Sequence, residues 1–373
     1  MTGETSGKGR IAIVLPDLRG GGAERLNLIL AREFLDRGFG VDLVLARVEG
    51  DLLDDVPDGC RIVDLAAPRL RWVFPALRRY LRSERPLGVL AAMWPLTGIA
   101  CLAVRTARVP VRLVVSEHND FRLAPAITSR ERFLLRIFGG WIYRPADAVV
   151  AVSQGVAESL HRCAGLEAGK TRVIYNPLRE PSGGPWPSED LPLREWWNAG
   201  GKRLLTVGAL KPQKAHDVLL QALAALDSHP DSRLIVLGEG PLRSETQALA
   251  ERLGLAARVR LPGFRRDPFP FMSEADLFVL SSSWEGFGNV LIEAMACGTP
   301  VVSTDCPSGP SEILANGTYG VLVPPGDPAA LASGVDAALC APPRPELLKQ
   351  RAREFSPARA ATAFLTAMFG SPV

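Results

Sequence analysis

SSSWEGFGNVLIEAMACGTPVV, residues 281–302, is the stretch that decides the fold of this chain. The apolar run DLFVL that precedes it, residues 276–280, predicts a buried strand. Gly286 and Gly288 then predict a tight turn or the close approach of a ligand. Residues 290–296 predict a short helix, which a glycine and a proline end before a second strand begins. The stretch therefore predicts a strand, a glycine loop, a helix and a strand in succession.

The start of that helix, with Asn289 as its expected N-cap, offers unpaired N–H groups and a positive dipole end to an anion. Two carboxylates, Glu285 and Glu293, stand on either side of this point. Carboxylates repel phosphate, so we expect them to accept hydrogen bonds from the hydroxyls of a ribose or a hexose. The alternative is an ordinary strand–helix–strand unit with two solvated glutamates, and the spacing leaves it open.

Residues 285–302 resemble the signature of the family-4-type retaining glycosyltransferases, which have the GT-B fold. The resemblance recurs, in the order expected for that family, at GGAE (21–24), SEHN (116–119), VGALKPQKAHD (207–217) and LGEGPL (237–242). It therefore covers most of the chain. It implies an α/β protein with two Rossmann-like domains, whose parallel sheets face each other across a cleft.

Length and composition fit two domains, since 373 residues with 47% apolar content can build two cores. The clearest break in composition is the proline-rich region, which predicts a linker at 181–200. An acceptor-side domain at 1–180 and a nucleotide-sugar-binding domain at 201–355 are expected on either side. By resemblance, the last helix, within 356–373, crosses back to the first domain.

The charge and the cysteines exclude several classes of protein. A net charge of +3 is too small to predict a nucleic-acid-binding protein. The 6 cysteines show no metal-binding spacing and are typical of reduced thiols in the cytoplasm.

Residues 86–104 are apolar, but their interruptions favour a strand and a helix over a membrane span. Residues 1–10 are polar and do not predict a signal peptide.

The glycine-rich turn after the first predicted strand, residues 11–15, lies where open α/β sheets bind ligands. Gly20 and Gly22 fit the first half of a dinucleotide fingerprint, but Arg25 stands at its third glycine, so we do not expect NAD. By resemblance, Gly21 and Gly22 contact the donor, while Ala23 and Glu24 lie on the acceptor side. A turn needed only for packing is the alternative.

His118 follows a predicted strand at 111–116 and has polar neighbours on both sides. A lone histidine is more often structural than catalytic, and the residues by themselves do not decide between the two roles. The resemblance implies a catalytic role, in which His118 forms a hydrogen bond with the donor sugar and fixes the geometry of attack. It places Asn119 on the acceptor side.

In the second half of the chain, the resemblance identifies Lys214 as the lysine that binds the diphosphate of the donor. The family usually has a basic residue where this chain has Ala209, so one expected cation is absent. Glu285 is assigned to the donor hexose, with a nucleophilic role as the weaker alternative because no second carboxylate is paired with it. Donor contacts in this half are implied for Lys214, Gly238, Glu239, Phe287, Gly288, Asn289, Val290 and Glu293.

No Asp-x-Asp motif occurs in the chain, so we expect neither a metal ion nor another cofactor. The nucleotide-diphosphate sugar is a co-substrate, and Lys214 with the N–H groups near Asn289 and Val290 would stabilise the leaving group. The prediction is retaining transfer of a hexose or N-acetylhexosamine, from UDP rather than GDP, in polysaccharide biosynthesis. The rivals are an epimerase or hydrolase of the same fold, a silent nucleotide-sugar-binding subunit and a pyridoxal-phosphate phosphorylase.

The basic, aromatic segment Arg69–Arg85 predicts one further partner. Such a helix can lie on an anionic membrane, and members of the resembling family use polyprenyl-diphosphate-linked acceptors. The alternative is a core-facing helix whose arginines form its wet side. We expect a cytoplasmic protein that associates with the inner face of the cytoplasmic membrane.

Overall fold

The computed structural model describes residues 8–19, 21–124 and 127–370. Gly20 of the glycine-rich turn lies outside the described residues. The chain divides into two compact units. The first unit comprises the chain up to Arg179 together with the chain from Ser356 onward. The second unit comprises Glu180–Phe355.

The first unit is built on a parallel sheet of seven strands, counted over the described residues, in the order β3-β2-β1-β4-β5-β6-β7. The central strands are continuous apolar runs, as expected for strands buried on both faces. The strands are β1 (Arg10–Leu15), β2 (Gly40–Leu45), β3 (Cys60–Asp64), β4 (Gly88–Ala92), β5 (Arg112–Glu117), β6 (Ala148–Ala151) and β7 (Thr171–Val173).

In the part of the chain that the structure describes, five helices connect these strands, and four of them form one layer, since α2 packs on α3, α3 on α4 and α4 on α5. The helices are α1 (Gly22–Asp36), α2 (Leu70–Glu84), α3 (Leu96–Ala107), α4 (Ser129–Tyr143) and α5 (Gln154–Ala164). Short 3₁₀ turns occur at Leu53–Asp55 and Ala168–Lys170. The apolar region 86–104 thus forms a strand and a helix. No helix in the described ranges is both long and apolar enough to cross a membrane.

α2, the helix predicted to contact a membrane, packs one apolar side against the protein. Val73, Leu77 and Leu81 are fully buried. On the same helix, the Nε atoms of Arg78 and Arg82 donate to carbonyl oxygens at the end of α3, at 3.3 and 3.2 Å. One side of α2 thus faces the core, whereas Leu70 and Trp72 are 40% and 53% exposed, and membrane contact through this helix stays a prediction.

The second unit has a parallel sheet of six strands within the described residues, in the order β10-β9-β8-β11-β12-β13. The strands are β8 (Arg203–Val207), β9 (Arg233–Leu237), β10 (Val259–Gly263), β11 (Leu277–Leu280), β12 (Val301–Thr304) and β13 (Val321–Val323). The helices are α6 (Leu191–Asn198), α7 (His216–Ala224), α8 (Arg243–Arg252), α9 (Phe269–Glu274), α10 (Asn289–Cys297), α11 (Pro310–Ile313), α12 (Pro328–Cys340) and α13 (Pro345–Arg353), with 3₁₀ turns at Ser188–Asp190 and Pro212–Lys214.

Residues 181–200, predicted as a linker, fold as part of the second unit. Trp197 of α6 is fully buried, and the ring of Trp186 packs on that of Phe271 with 4.1 Å between centroids. Pro192 sits in the first turn of α6, where a missing N–H costs nothing. Pro192 therefore stands at the beginning of a packed helix of the second unit.

The last helix, α14 (Pro357–Phe369), packs on α1 within the first unit. Its residues Phe364 and Leu365 are buried in the same core as Phe34 of α1. Arg37, which follows α1, donates from Nη1 to Thr362 Oγ1 at 2.9 Å and from Nη2 to the Ala358 carbonyl at 2.7 Å. The first core is therefore completed by residues from the two ends of the chain.

Candidate active site

In the second unit, β8 and β11 are neighbours in the sheet. The next strand in sequence after β8, β9, lies on one side of this pair, and the next strand after β11, β12, lies on the other side. The carboxyl ends of such a strand pair are where open α/β sheets bind ligands. The loops that follow the two strands contact each other there. Ser283 N donates to the Gln213 carbonyl at 2.8 Å, and Gln213 Nε2 donates to the Trp284 carbonyl at 2.9 Å. Ser281 Oγ donates to the Lys214 carbonyl at 2.8 Å, which fixes the lysine backbone.

Lys214 and Glu285 form an ion pair at this point, with 2.6 Å between Nζ and Oε1. Their side chains are 15% and 7% exposed, so the pair is well shielded from water. Oε1 also accepts a hydrogen bond of 2.7 Å from Ser282 Oγ. The sequence predicted separate roles for the two residues, and the structure brings them into direct contact. The result is a charged pair at the ligand-binding edge of the sheet, with the lysine as the more exposed partner.

α10 begins next to this pair, and its N-cap is Gly288. The prediction of Asn289 as the N-cap is therefore wrong, because Asn289 is the first helical residue. Gly288 has a φ of 101°, a left-handed conformation that glycine adopts without strain. This conformation lets the loop turn directly into the helix. Glu293 lies about one turn into the helix and is half-buried.

The side chain of Phe287 belongs to the core. It is buried, and its ring packs edge-on against Phe355 with 5.6 Å between centroids. Gly309 lies against the backbone of Phe287, since a Cβ at position 309 would be 1.9 Å from the Phe287 carbonyl oxygen. The loop from Glu285 to Gly288 is thus held from both sides. The predicted contact of Phe287 with a donor would therefore be made by its backbone and not by its ring.

The glycines after β9 have a structural explanation. A Cβ at Gly238 would lie 2.0 Å from the Gly208 carbonyl oxygen, and one at Gly240 would lie 2.4 Å from that of Leu210. The two loops approach so closely that only glycine fits at these positions. Glu239, between them, is exposed and pairs with Arg243 at 2.7 Å. Its predicted role in donor binding stays a prediction.

The loop after β8 has an alanine at position 209 and carries two lysines, Lys211 and Lys214. Lys211 is exposed, whereas Lys214 is engaged with Glu285. Across the ranges that the structure describes, no cluster of three His, Cys, Asp or Glu side chains could hold a metal ion.

In the first unit, the turn after β1 leads directly into α1. Gly21 is the N-cap of α1 and Gly22 its first residue. The carboxylate of Glu24 folds back over Gly21, so that a Cβ there would be 2.1 Å from Oε2. Burial raises the pKa of Glu24 above its ordinary value. Ala23 and Glu24 are half-buried in the first turn of the helix.

His118 follows β5 at the carboxyl edge of the first sheet, and Asn119 beside it is exposed. The imidazole Nε2 and Ser116 Oγ share a hydrogen bond of 3.1 Å, which orients the ring. Burial lowers the pKa of His118 to about 4. The imidazole is therefore neutral at neutral pH and can form hydrogen bonds as donor or acceptor without carrying a charge.

Glu117, which the sequence reasoning did not assign, lies directly behind His118 and is buried. Its carboxyl accepts hydrogen bonds from Trp94 N at 3.0 Å, Thr97 Oγ1 at 2.5 Å and Tyr143 Oη at 2.7 Å. These donors come from the loop after β4, from α3 and from the end of α4. The only sequence signal was a polar residue at a strand end. Burial raises the pKa of Glu117 to about 7.

Replacement of Glu117 by glutamine should change how stability depends on pH. In the unfolded chain this carboxyl loses its proton near pH 4.5, but in the folded protein only near 7. Stability is therefore lost in the wild type as pH rises through this window. We expect the free energy of unfolding of Glu117→Gln, relative to wild type, to rise by about 3 kcal/mol from pH 4.5 to 7. Urea unfolding at intermediate pH values measures it, and a pH-independent difference would contradict the assignment.

Two Rossmann-like domains with parallel sheets, each with polar and glycine-rich loops at the carboxyl ends of its strands, define a protein of the GT-B fold. Residues 193–355 match the family model for glycosyl transferases group 1, and residues 20–179 match that for glycosyltransferase family 4. The chain belongs to this glycosyltransferase family.

Three similar proteins illustrate the match. The N-acetylgalactosamine-N,N'-diacetylbacillosaminyl-diphospho-undecaprenol 4-alpha-N-acetylgalactosaminyltransferase of Campylobacter jejuni is 30% identical over 84% of this chain and 86% of its own. The Vi polysaccharide biosynthesis protein VipC/TviE of Salmonella typhi is 29% identical over 75% of this chain and half (50%) of its own. The crystal structure of HepE from Anabaena in complex with UDP is 27% identical, with a TM-score of 0.71 over 96% of this chain and 95% of HepE.

Proposed function

We propose that this glycosyltransferase moves a hexose or an N-acetylhexosamine from a UDP-sugar, with retention, to a glycan acceptor linked to polyprenyl diphosphate. The reaction would serve the biosynthesis of a cell-surface polysaccharide. The observation that carries the proposal is the shielded Lys214–Glu285 pair beside the start of α10. The UDP complex of HepE supports the choice of base. The undecaprenol-linked acceptor in the name of the Campylobacter enzyme supports the choice of acceptor.

In this proposal the leaving nucleoside diphosphate meets two sources of positive charge. One is the Lys214 ammonium, and the other is the N-terminal end of α10 near Asn289 and Val290. Preorganised charge of this kind stabilises the charge that develops on the leaving group. We therefore propose that the reaction needs no divalent metal. The backbone N–H groups of Phe287 and Gly288 would contact the donor beside them.

Glu285 would position the donor hexose by accepting hydrogen bonds from the hydroxyls of the sugar. Its Oε1 already accepts hydrogen bonds from Lys214 and Ser282, which lowers the availability of that oxygen as a nucleophile. We accordingly favour attack by the acceptor hydroxyl on the same face from which the diphosphate departs, over a covalent intermediate on Glu285. Retention of configuration can be read from the anomeric coupling in the NMR spectrum of the product.

Glu293 would accept hydrogen bonds from the ribose hydroxyls of the nucleotide. We expect Glu293→Ala to raise the dissociation constant of UDP by about tenfold, because hydrogen bonds to a charged group are lost. Calorimetric titration with UDP measures this, and Glu346→Ala in α13 serves as the control. If UDP affinity stays unchanged while affinity for the UDP-sugar falls, Glu293 contacts the sugar and the ribose assignment is wrong.

His118 would bind a hydroxyl of the donor sugar through its neutral imidazole. We expect His118→Ala to lower kcat by roughly 10²-fold, with a smaller change in the KM for donor, since the lost contact orients the reacting sugar. His229→Ala, in the second unit, is the matched histidine control. A kcat that falls as protonation near pH 6.5 sets in would contradict the low pKa of His118.

A panel of UDP- and GDP-sugars, with a polyprenyl-diphosphate glycan as acceptor, tests the proposed activity. Transfer from a UDP-sugar to the lipid-linked acceptor is the expected result. Release of free sugar or an epimer without any acceptor would favour the hydrolase or epimerase of the same fold. Ala209 specifically favours one other candidate, a donor-binding subunit without turnover, which would bind UDP-sugar in calorimetry and form no product with any acceptor.

A further inference from the structure

α4 is apolar on two opposite sides. Its inward side buries Leu135, Gly139 and Tyr143. Its outward side carries five large apolar side chains that are 42–63% exposed, at Phe133, Leu134, Ile137, Phe138 and Trp141. At 100° per residue these five fall within an arc of about 140° on one side of the helix. This outward side is called the α4 face below.

The orientation of α4 is fixed by its neighbours, so the α4 face cannot turn inward. A Cβ at Gly139 would lie 2.3 Å from the Ala164 carbonyl oxygen, which shows how closely α4 approaches α5. At the end of α4, Tyr143 Oη donates to the buried carboxyl of Glu117 at 2.7 Å. Rolling the helix would break both contacts. The exposure of the α4 face is therefore a property of the packed fold.

An apolar groove of about 280 Å³ continues the α4 face toward α3. Trp141 belongs to both, and the groove is also lined by Trp94, Gly98, Ile99, Leu102 and Ile142. Arg105 closes one side, with its guanidinium 4.6 Å from the centroid of the Trp141 ring. Exposed apolar surface on this scale, continuous over two helices, marks an interaction site.

The charged side chains of α4 are mainly arginines. Arg130 and Arg136 on the helix and Arg144 at its end are exposed. The one acidic residue of α4, Glu131, accepts hydrogen bonds from Thr128 N and Oγ1, both at 2.8 Å, within the capping box at the start of the helix. Aromatic and aliphatic side chains flanked by arginines suit the boundary between the head groups and the acyl chains of an anionic bilayer.

We propose that the α4 face docks this protein onto an anionic lipid bilayer. Phe133, Phe138 and Trp141 enter the head-group boundary, and the flanking arginines contact the lipid phosphates. Docking is thereby assigned to α4 and not to α2, whose residues Val73, Leu77 and Leu81 are buried against the protein. The inference goes beyond the proposed sugar transfer, because it concerns a surface that can be assayed without donor or acceptor.

Co-sedimentation with phosphatidylcholine vesicles, with and without phosphatidylglycerol, tests the proposal. Wild-type protein is expected to bind the anionic vesicles and to release them as salt rises. The double variant Phe138→Ser/Trp141→Ser should bind at least about tenfold more weakly, since two of the inserted side chains are removed. Trp72→Ser on α2 is the matched control, because Trp72 is 53% and Trp141 54% exposed. Its binding should stay within about twofold of wild type.

Equal unfolding midpoints for the two variants would show that any difference in binding is not a loss of folding. Loss of binding by Trp72→Ser alone would place the docking surface on α2 and overturn the proposal. Absence of binding between the wild-type protein and anionic vesicles would also overturn the proposal. A wild-type dimer that the α4 variants dissociate, with vesicle binding unchanged, would identify the face as an interface between copies of this chain. None of these results depends on whether the proposed sugar transfer is observed.

Discussion

Replacing Lys214 with methionine is expected to lower kcat/KM for sugar transfer by roughly 10²–10³-fold. Methionine keeps the length of the side chain and removes the ammonium group, which in our proposal stabilises the leaving diphosphate. Lys211→Met is the matched control, because Lys211 is exposed on the same loop and we expect it to retain most of the activity. Steady-state kinetics with the identified donor measure both variants. Full activity in Lys214→Met would remove the lysine from the mechanism.

The same variant leaves the Glu285 carboxylate shielded and without its cation. Breaking such a pair costs about 3–5 kcal/mol. The double variant Lys214→Met/Glu285→Gln removes both charges and should recover most of that stability without recovering activity. Urea unfolding of the single and double variants therefore separates damage to the fold from damage to the chemistry. Recovery of activity in the double variant would show that Lys214 acts only as a structural partner of Glu285.

Replacing Gly309 with alanine is expected to destabilise the second unit by about 3 kcal/mol or more. Two causes add at this position: a φ of 101°, and a Cβ that would lie 1.9 Å from the Phe287 carbonyl oxygen. Since Phe287 belongs to the loop between Glu285 and α10, we also expect weaker binding of UDP. Thermal unfolding and UDP titration measure the two effects.

Gly326→Ala is the control for this substitution. Gly326 also has a positive φ, 74°, but a Cβ there would meet nothing within 4 Å. It should therefore show only the conformational cost of about 1 kcal/mol. Equal destabilisation by the two substitutions would mean that the approach of residue 309 to Phe287 contributes nothing.

Local patterns in the sequence predict the central strand–helix–strand segment of the second sheet well. The predicted strand at 276–280, the helix at 290–296 and the strand from 301 correspond to β11, α10 and β12. The error at the helix start came from treating Asn289 as the capping side chain. A glycine with left-handed backbone geometry caps the helix one residue earlier, and the sequence does not reveal which of two adjacent capping candidates is used.

Contacts between distant segments could not be predicted from the sequence. The buried position of Glu117 depends on Trp94, Thr97 and Tyr143, which three separate segments bring to it. The pairing of Lys214 with Glu285 depends on the adjacency of β8 and β11 in the sheet. The segment Arg130–Arg144 has the same basic, aromatic pattern as Arg69–Arg85, and that pattern does not show which side of the helix meets the protein.

The return of α14 to the first unit has a consequence for synthesis on the ribosome. Residues 180–355 emerge as one continuous segment and can complete their own core while translation continues. The part of α1 that packs on α14, made much earlier, must stay uncovered in the nascent chain until residues 357–369 have left the exit tunnel. Premature termination or truncation ahead of α14 would thus leave an incomplete amino-terminal domain beside an intact second one, a species prone to capture by chaperones.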